Sequence, residues 1–293
     1  MPNGNHLLKN ELILVTGASG KTGKAVMDAF LMKGYQVRAL IHSPVKAHDL
    51  DKRISVLSGD LISKSDVSRA MADVTAVYHI CPNMHPDEVS IGKRVIQAAK
   101  TNGVRHFVFH SVLHPQIKEM PHHWKKMQVE GLLFESGLNF TILQPAAYMQ
   151  NLLQYKRGIL EESVYSVPYN EQTRVGMVDL RDVAECTARI MTNSRYFGGI
   201  YELATNECYT QFELTEIFSR FCKKQINFIE IPRSGWKQSM IKSGMPDYAV
   251  TNLVKMFEYY EKYGFAGNGL VLESLLGRKS KSLDQFIKEH FTN

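Results

Sequence analysis

Val15-Thr16-Gly17-Ala18-Ser19-Gly20-Lys21-Thr22-Gly23 is the stretch on which the fold turns. It follows a short apolar run, Glu11 to Val15, and leads into Gly23 to Gly34, where Val26, Met27, Phe30 and Leu31 recur at helical spacing. The three glycines therefore sit where a strand passes into a helix. Gly17 allows a tight turn, Gly20 lets a phosphate approach the backbone, and Gly23 permits the helix to pack closely; the helix N-terminus then offers free N–H groups and partial positive charge to an anion. The spacing G-x-x-G-x-x-G is not the G-x-x-x-x-G-K-[ST] of a P-loop, which disfavours nucleoside triphosphate hydrolysis.

Working outward, strand and helix patterns alternate. Tyr35 to Ile41 reads as a second strand, Ile54 to Leu57 as a third and Ala76 to Ile80 as a fourth, with helices from about Ser63 and from about Asp87 to Asn102. A fifth strand, His106 to Ser111, a helix around His122 to Ser136 and a sixth strand, Asn139 to Leu143, complete the series. Parallel strands need right-handed crossovers, so this order predicts an α/β fold with an open, doubly wound parallel sheet of the Rossmann type and ligands at the strands' carboxyl ends. After Pro145 the rhythm weakens. Asp179 to Met191 and Thr210 to Phe221 read as helices and Ile200 to Leu203 as a strand. The helix-rich remainder carries Trp236, Phe257, Tyr259, Tyr260, Tyr263 and Phe265. The expected organisation is a dinucleotide-binding domain over residues 1–150, with residues 151–293 completing the sheet and forming a smaller C-terminal substrate or lid lobe. The aromatic residues either wall an apolar pocket or fill the lobe's own core.

The chain's 293 residues suffice for one large domain or a main domain with a smaller lobe. Its 35 Lys and Arg against 29 Asp and Glu leave a charge of +6, but no Lys/Arg-rich block or zinc spacing accompanies the excess, so nucleic acid is not an expected partner. No apolar run is long enough to span a bilayer, and Met1 to His6 lack the pattern of a signal peptide, so a cytoplasmic, unexported chain is expected. Cys81, Cys186, Cys208 and Cys222 lie far apart, as reduced thiols would.

The residues after the second strand bear on the choice of dinucleotide. A carboxylate there would hold a ribose 2′-hydroxyl and repel a 2′-phosphate, whereas this strand ends Leu40-Ile41-His42-Ser43-Pro44-Val45-Lys46. His42, Ser43 and Lys46 favour NADP(H), with NAD still open. By their place in the fold, Asp60 and Leu61 face the adenine, and Cys81, Pro82 and Asn83 flank the nicotinamide ribose.

With these elements in place, the sequence resembles the NmrA-like group of atypical short-chain dehydrogenases/reductases over nearly its whole length. The resemblance is carried by V-T-G-A-S-G-K-T-G (15–23), V-R-A-L-I-H (37–42), F-V-F-H-S-V (107–112), K-x-x-V-E (126–130) and F-T-I-L-Q-P-A-A-Y-M-Q-N (140–151). V-D-L-R-D-V-A (178–184) and G-M-P-D-Y-A-V (244–250) extend it. It implies NADP(H) along the strand ends, with Gly17, Ser19, Gly20, Lys21, Thr22 and Gly23 on the pyrophosphate and Lys126 on the nicotinamide ribose. Tyr148 to Asn151, with Tyr148 and Asn151 foremost, would lie against the nicotinamide. Members commonly carry Arg where this chain has His42.

Short-chain reductases generally pair a Ser on strand five with Tyr-x-x-x-Lys on the next helix, a spacing of four that puts both side chains on one face. Here Ser111, a candidate to orient or protonate the substrate, and Lys126 match, but His122 stands in the tyrosine's place. Three readings follow. His122 donates the proton, or Lys126 holds the cofactor while water protonates an easily reduced acceptor such as a quinone, or the site only senses NADPH. The first two describe an oxidoreductase acting on an apolar carbonyl, enone or quinone, with Tyr148 and Trp236 as pocket walls. The third describes a regulator acting through a protein partner or a homodimer. His106, His110, His114, His122 and His123 lack the companion ligands of a zinc site, and no G-x-S-x-G elbow surrounds Ser111.

Overall fold

A computed structural model of the chain describes residues 10–82 and 84–292, so the Met1–His6 segment lies outside the described residues. The first half runs β1 (Leu12–Val15), α1 (Lys21–Met32), β2 (Gln36–Ile41), β3 (Ser55–Ser58), α2 (Lys64–Ala70), β4 (Val74–His79), α3 (Glu88–Thr101), β5 (His106–His110), α4 (Pro121–Phe134) and β6 (Phe140–Pro145). The second half runs β7 (Ala147–Tyr148), β8 (Val164–Val167), β9 (Val175–Val178), α5 (Leu180–Met191), β10 (Ile200–Leu203), β11 (Cys208–Tyr209), α6 (Gln211–Cys222) and β12 (Asn227–Glu230). Four helices close the chain: α7 (Arg233–Lys242), α8 (Asp247–Tyr263), α9 (Leu270–Leu276) and α10 (Leu283–Phe291).

Seven strands form one sheet in the order β10-β6-β5-β4-β1-β2-β3. The pairs from β3 across to β6 are parallel. The chain winds outward from β1 to β3, returns to β4 beside β1, and winds the other way. With right-handed crossovers this places helices on both faces and makes the gap between β1 and β4 the point where direction reverses. The doubly wound sheet expected from the sequence is thus present, with β10 as a seventh strand. Its buried strands, with Leu14, Leu40, Val77, Phe107, Phe109 and Ile142 in one core, read as near-continuous apolar runs because both faces are covered.

The chain divides into two compact units. The first comprises the described residues up to Gln116 together with His123–Gln144 and Val183–Tyr201. The second comprises Ile117–His122, Pro145–Asp182 and the described residues from Glu202 on. Within the second, β11, β9 and β7 make a small sheet and β12 pairs with β8 in parallel. Its core is aromatic: Tyr165, Phe218, Phe286 and Phe291 are buried, and the rings of Phe218 and Phe291 lie 5.0 Å apart. Capping boxes at Thr210/Glu213 and Ser282/Gln285 fix the starts of α6 and α10. Phe257, Tyr260 and Phe265 are buried in this unit too, Tyr260 stacked on Phe265 at 4.6 Å and Phe257 meeting the half-buried Trp236 edge-on at 4.8 Å. Of the two readings of these aromatics, core filling describes Phe257, Tyr260 and Phe265, while Trp236 and Tyr259 are half-buried and Tyr263 is exposed. Among the described residues no helix is long and apolar enough to cross a membrane.

Candidate functional site

At the end of β1 the chain turns on glycine because nothing else fits. Gly17 adopts a left-handed φ of +61°, and a Cβ there would lie 3.0 Å from that of Ile80. A Cβ on Gly23 would lie 2.5 Å from the Gly17 carbonyl oxygen, so the first turn of α1 rests directly on the loop. Thr16 fastens the loop to β4: its hydroxyl meets the Ile80 N–H and carbonyl, each at 2.9 Å, and His79 Nδ1 at 2.8 Å. Gly20 opens α1 with no side chain capping it and no acid in the first turn. The helix thus starts without a capping side chain beside a backbone pressed too close for side chains, a cradle suited to a pyrophosphate. Ser19 and Thr22 are half-buried at its rim, and Lys21 is exposed.

The ends of β2 and β3 converge beside it. His42 is exposed, and its Nδ1 stands 3.6 Å from a carboxylate oxygen of Asp60. The end of β2 carries no acid of its own, yet the fold brings one there from β3. Ser43 leads into a short 3-10 helix, Pro44–Asp49; the Lys46 side chain, like all of Asn83, lies outside the described residues. Leu61 is buried and its carbonyl accepts a hydrogen bond from Arg94 at 3.1 Å. After β4, Cys81 is buried and Pro82 exposed.

On the β4–β5 side the surroundings are ionic and closed. Lys126, on α4, donates to Glu88 Oε1 at 2.6 Å, with the lysine side chain 13% exposed and the carboxylate 1%. Burial alone would draw the proton from Lys126, but Glu88, followed by Cys81 and Glu130, reverses this and holds its pKa above the usual lysine value. Ser111, the fifth-strand serine, is buried and donates to Glu130, whose two oxygens also accept from Gln144 Nε2 at 3.0 and 3.1 Å. Burial lifts the Glu130 carboxyl above its ordinary range, countered in part by Ser111, Gln144 and Lys126. The structure therefore gives Ser111 a carboxylate partner that the sequence reading did not foresee.

Glu88 and Glu130 were both legible as anomalies. Glu88 falls in phase with the buried stripe Ile91, Gly92, Val95 and Ile96 of α3, and Glu130 adjoins Val129 and Leu133 in α4. An acid on an apolar stripe signals a buried partner. His122 is the second residue of α4 and is buried. The other histidines have structural employment: His106 joins Thr141 and the Met191 carbonyl, His110 joins the Tyr78 hydroxyl at 2.5 Å, and His123 joins the His114 carbonyl. Among the described residues no three His, Cys, Asp or Glu side chains form a group that could hold a metal ion.

In the second unit, Tyr148 and Asn151 are half-buried on either side of Gln150. Gln150 donates to Asp179 at 2.8 Å and accepts from the Leu180 N–H at 2.9 Å, while Arg181 forks onto the same Asp179. The V-D-L-R-D motif thus anchors the segment that carries Tyr148 and Asn151.

A doubly wound sheet with a glycine turn and an open helix N-terminus at its switch point defines a dinucleotide-binding α/β protein. The chain belongs to the NmrA-like family, whose model matches residues 9–291. It is 27% identical over 285 residues to an NAD(P)H azoreductase of Xenophilus azovorans, covering 95% of this chain and 98% of that one. It is 23% identical over 283 residues to quinone oxidoreductase 2 of Escherichia coli (strain K12), covering 96% and 99% of the two chains. Among solved structures, an NADPH-dependent quinone oxidoreductase from Escherichia coli complexed with NADPH superimposes with a TM-score of 0.82 at 24% identity, covering 96% of this chain and 100% of that one.

Proposed function

We propose that this chain is an NADPH-dependent oxidoreductase that reduces a quinone, an azo compound or a related apolar carbonyl or enone. The observation that carries this reading is a charged, nearly buried Lys126 in the same unit as a glycine cradle shaped for a pyrophosphate. Full-length similarity to an azoreductase and a quinone oxidoreductase supports the acceptor class.

When bound, NADPH supplies the hydride. Gly17 to Gly23 hold the pyrophosphate through backbone N–H groups, with Ser19, Lys21 and Thr22 at the rim. His42, Ser43 and Lys46 receive the 2′-phosphate, Asp60 and Leu61 border the adenine, and Cys81, Pro82 and Asn83 flank the second ribose. Lys126 donates to that ribose, while Tyr148 and Asn151 contact the nicotinamide. Ser111 is proposed to orient or protonate the acceptor, and with Gln144 it fixes Glu130, one helical turn from Lys126. His122 is the proposed proton donor, and Trp236 a proposed acceptor contact. The second unit is read as the substrate lobe, and the protein as a cytoplasmic one.

The test is NADPH consumption against a panel of quinones, enones and azo dyes, with wild type and Lys126→Ala side by side. Turnover by the wild type that is lost in the variant is expected. NADPH binding without turnover on any acceptor would overturn the enzymatic reading in favour of a sensor. A sensor would in turn show partner binding or self-association that differs between NADP+ and NADPH.

A further inference from the structure

Of the buried polar groups in the first unit, Glu88 stands out because neither the glycine cradle nor the serine–lysine pattern calls for it. It opens α3, directly after the N-cap position, where the helix's positive end favours an anion. It is 38 residues from Lys126 in sequence and 2.6 Å from it in space. The approach depends on Gly92, one turn further along α3. A Cβ on Gly92 would lie 2.8 Å from both methyl carbons of Val129, so the two helices touch there with no room for a side chain. Val129 in turn lies one turn beyond Lys126 on α4. The contact that brings the helices together thus sits beside the pair it creates. The Lys126 ammonium also lies 5.6 Å from the centre of the Phe109 ring, a second attraction for the same charge.

We propose that Glu88 is the positioning residue of this site, its buried carboxylate holding the Lys126 head group in place and protonated so that the lysine can serve a bound dinucleotide. The proposal rests on the reading of Lys126 as the ribose contact given above. The physical case is one of compensation. A lysine taken out of water gives up its proton near neutrality unless an anion replaces the lost hydration. Glu88 is the hydrogen-bonded anion. The other titratable groups acting with Lys126 are His79 and Cys81 around the end of β4, His110 on β5, and Glu130 and His123 on α4. Burial keeps the three histidines neutral and the Cys81 thiol protonated. Of the other two groups that favour the charge, Cys81 could act only as a thiolate, which its burial opposes, and Glu130 is already engaged by Ser111 and Gln144. A neutral Lys126 would keep a lone pair where the ribose hydroxyls need a donor, and would lose its attraction for a polyanionic cofactor.

Two readouts test this without relying on turnover. In the ligand-free protein, the titration of Lys126 followed by NMR of ¹³C-labelled lysine side chains should fall by at least one pH unit, a tenfold or greater loss of proton affinity, in Glu88→Gln, and recover in part in Glu88→Asp. In NADPH titrations from pH 6 to 9, the wild type should hold its affinity across the range while Glu88→Gln loses tenfold or more as pH rises. Gly92→Ala, which leaves both charges in place but separates the helices, should shift the Lys126 titration in the same direction as Glu88→Gln. An unmoved Lys126 titration in both Glu88→Gln and Gly92→Ala overturns the proposal, as does a Glu88→Gln affinity that tracks the wild type at every pH. Lys126→Ala separates this from the parent reading. If that variant binds NADPH as the wild type does, the ribose role of Lys126 fails, whatever Glu88 does to its charge.

Discussion

At the end of β1 the first unit presents bare backbone, and at the ends of β4 and β5 it presents ionised side chains. The glycine turn is built by exclusion. Gly17 and Gly23 leave no room for a Cβ, and α1 starts without a capping side chain. The Lys126 cluster is built by compensation, a cation held between one carboxylate at 2.6 Å and a second whose charge is shared with a serine and a glutamine. On the proposed reading, the first side would take a diphosphate by shape and depend little on pH, and the second would take hydroxyl groups by charge and depend on its proton. The contrast teaches that a proposed dinucleotide site can combine two unlike kinds of chemistry, which should fail in different ways when altered.

The largest effect is expected from breaking the ionic side. Lys126→Ala leaves Glu88 buried without its partner, so a loss of about 3–5 kcal/mol of folding stability is expected by urea titration, together with loss of NADPH turnover. A smaller change would show that water replaces the ammonium. On the backbone side, Gly23→Ala forces the loop and helix apart. We expect it to cost about 1–3 kcal/mol and to weaken NADPH binding on the order of a hundredfold by calorimetry. Equal losses for NADH and NADPH are expected there, since both carry the pyrophosphate.

Acid sharpens the comparison, because the ionic side is ringed by neutral histidines. Burial, with Lys126 next, lowers His79 and His110 from the ordinary 6.5 to about 3, and burial lowers His106 and His123 to about 4. Each takes up a proton only on unfolding. Stability from these groups is therefore complete above pH 6.5 and falls as pH drops from there toward 4. A urea midpoint unchanged between pH 7 and pH 5 would contradict it. Smaller still, Ser111→Ala strips one donor from Glu130, with a cost of ~1–3 kcal/mol in thermal melts and no change in the cofactor's Kd. His42→Ala, on the exposed rim, should narrow the preference for NADPH over NADH by roughly tenfold, about 1.4 kcal/mol.

The two sides also differ in how far the sequence reveals them. The turn is a local pattern of seven residues that leaves a strand and runs into a helix, so its place is legible from spacing together with the strand before it and the helix after it. The six leading strands were legible as apolar runs, and β1, β3, β4 and β5 are each followed by a helix, whereas β2 leads through a 3-10 segment to β3 and β6 leads into β7. The Lys126–Glu88 pair depends on a crossover that no local pattern encodes, and Asp60 reaches His42 from a different strand. In the second half, β7 and β11 are two residues long and β8, β9 and β12 four, too short for alternation to be distinguished from loop. Their partners are set by the small sheets they join.

The account's central claim is that these two sides of the first unit together hold NADPH. Calorimetric titration of the wild-type protein with NADPH and with NADH tests it most directly. One site per chain, filled more tightly by NADPH, and weakened at least tenfold in Lys126→Ala, is the predicted result. Absence of binding by either dinucleotide, or binding indifferent to both Gly23→Ala and Lys126→Ala, would contradict it.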